Sequence, residues 1–197
     1  MTSRIGLFGG SFDPVHTAHM IVASVIREEF CLDSLYFIPN FVSPYKTGNI
    51  TTDVSHRIEM LKLSTGDNEY FHVCEFEAAM NRSVYTYETV EYFAERFPDS
   101  DLFLIVGYDC YKTIGNWKNS DRIFKKAEII VAERPDGNRT VDNPVKVKFS
   151  SYCPEMNISS SKIRELVSKN FNIKYLVNES VRCYIRDNGL YRPDINK

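Results

Sequence analysis

The run DLFLIVG at residues 101–107 constrains this chain more than any other feature. It is continuously apolar and does not alternate, so a strand made from it must be covered on both faces. Such strands occur in parallel sheets flanked by helices. Three further runs have the same look: RIGLF (4–8), LYFIP (35–39) and EIIVAE (128–133). FHVCEF (71–76) is also expected to be a strand, and the alternating VKVKF (145–149) suits an edge.

Helical patterns fall between these runs. HMIVASVIREEF, from His19, is apolar on nearly all sides. Val54, Ile58 and Leu61 recur at helical spacing after a cap at Thr52 or Asp53. Thr86–Phe97 places Val90, Phe93, Ala94 and Phe97 on one face. A short helix and Trp117 follow DLFLIVG, and another helix is expected near 119–126. Ser159-Ser160-Ser161 precedes a helix with Ile163, Leu166 and Val167. The last helix carries Val181, Tyr184 and Ile185 and stops at Gly189. Strand and helix therefore alternate throughout. The expected fold is α/β, a doubly wound parallel sheet with helices on both faces, Rossmann-like. One domain is expected over residues 1–197, its C-terminal helices (about 159–191) packed as a small subdomain.

In that class ligands bind beyond the carboxyl ends of the strands, where strand order reverses. The first strand delivers Gly9-Gly10-Ser11 there and the fourth Gly107-Tyr108-Asp109. Both are expected to face one site.

Net charge is −2, from 24 basic and 26 acidic residues, so overall basicity gives no reason to expect a nucleic-acid partner. No run is long and apolar enough for a signal peptide or a membrane span. The five cysteines are scattered, odd in number and without a CxxC pair, the usage of a reducing compartment. The expected location is the cytoplasm. Homo-oligomerisation stays open.

The segment most able to carry chemistry is GGSFDPVHTAH (9–19). Its two glycines permit close backbone approach to a ligand. His16 and His19 lie three residues apart at the start of a helix, so their imidazoles share a face beside the positive end of the helix dipole. This suits phosphate. The segment is neither a Walker loop, since no Gly-Lys-Ser/Thr follows, nor the dinucleotide GxGxxG fingerprint. Helix capping and core hydrogen bonding are the ordinary alternative for such a pair. Zinc is a weaker one, with no third ligand at metal spacing.

GGSFDPVHTAH resembles the GG(S/T)FDPxHxGH signature of adenylyltransferases in the nucleotidylyltransferase superfamily. Further matches run along essentially the whole chain and resemble the bacterial nicotinate mononucleotide adenylyltransferase branch. They are Ser43-Pro44-Tyr45-Lys46, Tyr85-Thr86-Tyr87-Glu88-Thr89, Gly107-Tyr108-Asp109, Trp117-Lys118, Glu133-Arg134-Pro135, Ile158-Ser159-Ser160-Ser161-Lys162-Ile163-Arg164, and Tyr184-Ile185 with Gly189-Leu190-Tyr191. The chain departs from the branch at Ala18, which stands for a glycine, and at Tyr45, which stands for a histidine. Tyr108 is large for its place, and Glu88 is one methylene longer than the usual aspartate.

The resemblance implies transfer of an adenylyl group from ATP to nicotinate mononucleotide, giving deamido-NAD and pyrophosphate, a step of NAD biosynthesis. It assigns His16, His19, Lys46 and Arg164 to catalysis. It assigns Gly9, Gly10, Ser11, Phe12, Gly107, Asp109, Ser160 and Ser161, with those four, to ATP. Asp13, Tyr85, Thr86, Trp117 and Arg134 fall to the acceptor. No protein metal site is implied; Mg²⁺ would ride on the ATP phosphates. Other phosphorylated acceptors remain alternatives, namely nicotinamide mononucleotide, phosphopantetheine or a small phosphorylated alcohol. So does a nucleotide-binding sensor that has lost catalysis.

Overall fold

The computed structural model describes residues 2–42, 52–132 and 146–192. Its centre is a sheet of six parallel strands: β1 (Ser3–Gly10), β2 (Ser34–Pro39), β3 (Phe71–Val73), β4 (Ser100–Val106), β5 (Ala127–Val131) and β6 (Val147–Phe149). Their order is β3-β2-β1-β4-β5-β6. The chain winds outward in one direction from β1, then returns to lay β4 against β1's other edge. The switch point therefore lies between β1 and β4. There Leu7 is in register with Tyr36 on one side and Leu104 on the other.

The apolar run at 101–107 forms most of β4, and its side chains divide between two cores. Phe103 and Ile105 join one cluster; Leu102, Leu104 and Val106 join the other. β5 divides likewise, with Ile130 on one side and Ile129 and Val131 on the other. Period-two alternation explains the division, and burial on both faces explains why no polar residue interrupts the run. Each fully buried branched side chain contributes roughly 1.5–3 kcal/mol.

The first face is covered by α1 (Thr17–Glu29), α2 (Val54–Thr65), α7 (Ser160–Ser168) and α8 (Glu179–Asp187). Ala23, Ile26, Met60, Leu61, Ile163, Val181 and Ile185 fill it. The C-terminal helices thus share a core with β2 and β4. The second face is covered by α4 (Thr86–Arg96), α5 (Tyr108–Thr113), a 3-10 turn (Ile114–Asn116) and α6 (Ser120–Lys126). Val90, Phe93, Tyr111, Ile114 and Ile123 pack there.

Local chemistry sets the helix ends. Asp53, not Thr52, caps α2, accepting from the Ser55 N–H at 2.8 Å. Ser159 caps α7 through the Lys162 N–H. Gly189 has φ +63°, the left-handed turn expected after the last helix.

One expected strand is cut short. Of 71–76, only Phe71–Val73 is strand; the Cys74 N–H makes one more bond to Phe37 O, and the chain then enters a short helix, α3 (Phe76–Ala79). Phe76 stacks on Tyr92 of α4, ring centroids 4.1 Å apart. Packing on α4 outweighs extension of an edge strand, and the apolar pattern of FHVCEF could not separate the two outcomes.

Candidate active site

A cleft of about 340 Å³ opens at the switch point, beyond the carboxyl ends of β1 and β4. Phe8, Gly9, Gly10 and Ser11 form one part of its lining, and Gly107, Asp109 and Cys110 another. Thr86 and Trp117 close the wall provided by the second face. Seven expected site residues therefore meet in one cavity: Gly9, Gly10, Ser11, Thr86, Gly107, Asp109 and Trp117.

The glycine pair has two uses. A Cβ on Gly9 would meet nothing within 4 Å, so its bareness leaves backbone open on the cleft side. A Cβ on Gly10 would sit 2.9 Å from the Phe12 ring. Gly10 is thus required by close packing. Phe12, at φ 47°, turns its buried ring inward against Phe8, Phe37 and His19. Its side chain is core, and only its backbone is left for a nucleotide.

His16 and His19 come together as expected, with rings stacked 3.7 Å apart. His19 Nδ1 accepts the His16 backbone N–H at 3.2 Å. That bond assigns the proton of a neutral His19 to Nε2. Edge contacts with Phe8 and Phe12 hold its ring in place. His16 is buried, and burial lowers its pKa to about 4, so it is neutral at pH 7. Its Nδ1 is buried with no hydrogen-bond partner among the described residues.

The loop is also held by α7 and by the segment after α8. Arg164 Nη1 donates to Asp13 O at 2.7 Å, and Ser160 Oγ donates to Pro14 O at 2.9 Å. Arg164 Nη2 also reaches Ser161 Oγ at 3.4 Å. Tyr191 Oη donates to Asp13 Oδ1 at 2.8 Å. Residues far apart in sequence thus converge on this turn, and the C-terminal motif is part of the site's support. Asp13, expected at the acceptor, instead lies in the interior at 1% exposure. Its carboxylate is engaged by Tyr191 and lies 3.8 Å from Arg164. A group so enclosed is a structural latch.

Arg57 was missed by the sequence reading. It is 1% exposed, yet its guanidinium donates to three backbone carbonyls: Ser11 at 2.7 Å, Phe41 at 3.1 Å and Thr52 at 3.3 Å. One buried cation therefore ties the glycine loop to the chain following β2 and to the approach to α2. Burial lowers its pKa, with Asp13 and Tyr191 opposing. A signal existed: Arg57 sits on the face of α2 defined by Val54, Ile58 and Leu61, where a charge needs a reason.

Across the cleft, Tyr85 precedes α4, its backbone N–H held by Glu88 Oε1 at 3.0 Å. Glu88 is also gripped by Arg82 at 2.7 Å, which lowers its pKa. The extra methylene of Glu88 gives the reach of a capping box. Lys118 Nζ lies 4.2 Å from the Tyr85 ring centroid. Asp109 is at the mouth of the cleft, its carboxylate 94% exposed and 2.6 Å from Lys112 Nζ. Ala18 and Tyr108, the two departures nearest the signature, are buried, and neither lines the cleft. Tyr108 packs in the second core. Lys46 and Arg134 lie outside the described residues, as do Tyr45 and the Glu133-Arg134-Pro135 motif. Asn40 and Glu77 line the cleft and were not foreseen.

A parallel sheet in this order, with a glycine-ended first strand and paired histidines at its switch point, defines a nucleotidyltransferase of the Rossmann-like kind. The model of the cytidylyltransferase-like family matches residues 7–166, and the chain belongs to that family. A protein of Salinibacter ruber named a probable nicotinate-nucleotide adenylyltransferase is 38% identical over 191 residues, covering 96% of this chain and 98% of its own. Two structures of the Plasmodium falciparum nicotinic acid mononucleotide adenylyltransferase share the fold. The complex with NaAD has a TM-score of 0.75 and the complex with APC 0.74; each is 20% identical, over 96% of this chain and 97% of the other.

Proposed function

We propose that this chain is a nicotinate-nucleotide adenylyltransferase, transferring the adenylyl group of ATP to nicotinate mononucleotide in NAD biosynthesis. The observation that carries the reading is the switch-point cleft, where Gly9, Gly10 and Ser11 face Thr86 and Trp117 across one cavity. The full-length likeness to the Salinibacter protein supports the same acceptor.

The chemistry needs little from the protein beyond placement. The acceptor's phosphate oxygen attacks the α-phosphorus of ATP in line; the new O–P bond forms as the bond to the pyrophosphate oxygen breaks. A phosphomonoester's second pKa is near 6, so the nucleophile is already charged at pH 7. No general base or covalent intermediate is required. Catalysis is positioning plus stabilisation of charge on the α-phosphoryl group and leaving pyrophosphate. His19 supplies a fixed Nε2–H donor toward the phosphates, and His16 pairs with it. Ser160, Ser161 and Arg164 form a second phosphate clamp beside the loop they support, and Lys46 adds a cation. Asp109 is the ribose partner, and Trp117 the stacking surface for the pyridine ring. Thr86, with Arg134, favours the acid over the amide, whose NH₂ would face donors.

Magnesium would enter on ATP. There it would be carried by phosphate oxygens and water, since magnesium at phosphates needs few protein ligands. No described helix is long and apolar enough to cross a membrane.

The test is pyrophosphate release from ATP and Mg²⁺ with a panel of acceptors. Release should require a mononucleotide, with nicotinate clearly ahead of nicotinamide mononucleotide. Equal turnover of the two overturns acid selectivity. Tight ATP binding without turnover of any acceptor would replace the enzyme with a sensor.

A further inference from the structure

Glu77 is an unusual residue to find on the wall of this cleft. It lies on α3, is 9% exposed, and lines the cavity together with Val84, Thr86 and Trp117. Its Oε1 accepts the Thr89 hydroxyl at 2.6 Å. Thr89 is one turn along α4 from Thr86, so the carboxyl is held beside the first turn of the helix that forms the acceptor wall. Oε1 is committed, which leaves Oε2 as the oxygen able to meet a ligand. No arginine or lysine is bonded to the carboxyl among the described residues. The charged neighbour acting on it from α4 is Glu88, itself paired with Arg82; the other acid on the lining is Asp109, at the mouth beside Lys112. Just beyond β2 the cleft residue is the uncharged Asn40, and from α5 the thiol-bearing Cys110 lines the cavity with Asp109.

We propose that Glu77 is a specificity-determining residue of the acceptor site: protonated, it donates through Oε2 to the carboxylate of the nicotinate ring, and ionised, it repels that carboxylate and accepts from the amide of the nicotinamide ring. This rests on the nicotinate reading above and adds a group to it. The physical case is one of charge. A carboxyl in a wall with no bonded cation has a costly anionic form. Bringing a second carboxylate beside it raises that cost and favours one proton shared between the two oxygens. Desolvation, with Glu88 assisting, pushes the Glu77 carboxyl up to about 7 against the opposing Thr89 bond. The switch between donor and acceptor therefore falls within the working range of pH.

The test compares kcat/KM for nicotinate and nicotinamide mononucleotide from about pH 6 to about pH 9. Both acceptors carry the same phosphate, so its titration cancels in the ratio. The acid-to-amide ratio should fall at least about tenfold across this range, the equivalent of one pKa unit of differential interaction. Glu77→Gln, which keeps a donor but does not ionise, should make the ratio insensitive to pH. Thr89→Val removes a bond that favours the ionised form, so the midpoint should move to higher pH. That shift is one a purely structural role would not produce. If Glu77→Gln fails to fold, the wild-type profile and the Thr89→Val shift decide. A wild-type ratio independent of pH, or an unchanged profile in folded Glu77→Gln, overturns the proposal while leaving nicotinate as the substrate. Failure to turn over either acceptor overturns the nicotinate reading, and this inference with it.

Discussion

The two walls of the cleft are built differently. The proposed phosphate wall, where Gly9, Gly10 and Ser11 line the cleft and the loop runs on to His19, is held by side chains from remote parts of the chain: Arg57 on α2, Ser160 and Arg164 on α7, and Tyr191 beyond α8. Much of that support is buried and ends on backbone oxygens. The acceptor wall is held locally. Tyr85 and Arg82 are tied by Glu88 within a few residues, and a longer link, from Arg122 of α6 to Glu91 of α4, is a half-exposed ion pair. The contrast separates what is fixed from what is adjustable. Geometry around a reacting phosphorus tolerates little displacement, whereas a ring pocket can change with its local side chains.

The contrast breaks first if Arg57 proves dispensable. Arg57→Ala removes a buried cation and leaves three carbonyls without their donor, so unfolding free energy should fall on the order of 3 kcal/mol. Arg122→Ala, on the opposite wall, should cost less than about 1 kcal/mol. Urea denaturation of both reads the difference directly. Similar losses would mean that the walls are equally supported.

His19→Ala tests the chemistry of the first wall. Its Nε2–H is expected to act on charge that builds in the transition state, so kcat should drop on the order of a hundredfold with little change in acceptor KM. Near-native turnover in a folded variant would remove the phosphate role from GGSFDPVHTAH.

His16 offers a measurement that needs no substrate. Burial depresses its folded-state pKa from 6.5 to about 4, so the unfolded chain takes up the proton first. Its contribution is present above pH 6.5 and is lost as pH falls toward 4. Between pH 7 and pH 5 this amounts to about 2 kcal/mol by linkage. Acid denaturation of wild type against His16→Gln isolates it, because the titrations of the carboxyl groups and the other histidines are common to both. Parallel curves would mean that His16 is solvated.

Trp117→Ala probes the local wall. It removes a surface remote from the reacting phosphorus, so acceptor KM should rise about tenfold while kcat falls less. Trp117 also packs against the second core, so folding is checked first. An unchanged KM would make the tryptophan structural and weaken the nicotinate assignment.

The chain's fold was largely legible because its constraints are periodic. A continuous apolar run such as 101–107 has few homes, and once it is parallel and central the helices must cover both faces. The site was legible where motif and strand end coincide, as at Gly9-Gly10-Ser11 and Gly107. It was less so where a polar group turns inward. Asp13 reads like a ligand residue, but Tyr191 encloses it, and no local pattern links positions so far apart. Glu77 directly follows the segment expected to be strand, 71–76, and its partner Thr89 belongs to another helix. Arg57 alone left a trace, as a charge on an apolar helical face.

The smallest expected effect concerns Ala18, which stands where the family signature has glycine. Were the methyl group pressing on the nucleotide, restoring glycine would improve the enzyme. Ala18 is instead buried in α1 and does not line the cleft. Its methyl group faces protein, and alanine is the better helix former by up to about 1 kcal/mol. Ala18→Gly should therefore lower stability by roughly that amount and change kcat/KM for ATP by less than about tenfold. The sign of the stability change matters more than its size. A helix opening beside a rigidly held loop gains from a residue that restricts the unfolded chain, which gives the departure a structural rationale. A large gain in kcat/KM with Ala18→Gly would mean that the first wall is compromised, and the contrast between a fixed phosphate wall and an adjustable acceptor wall would fail on its fixed side.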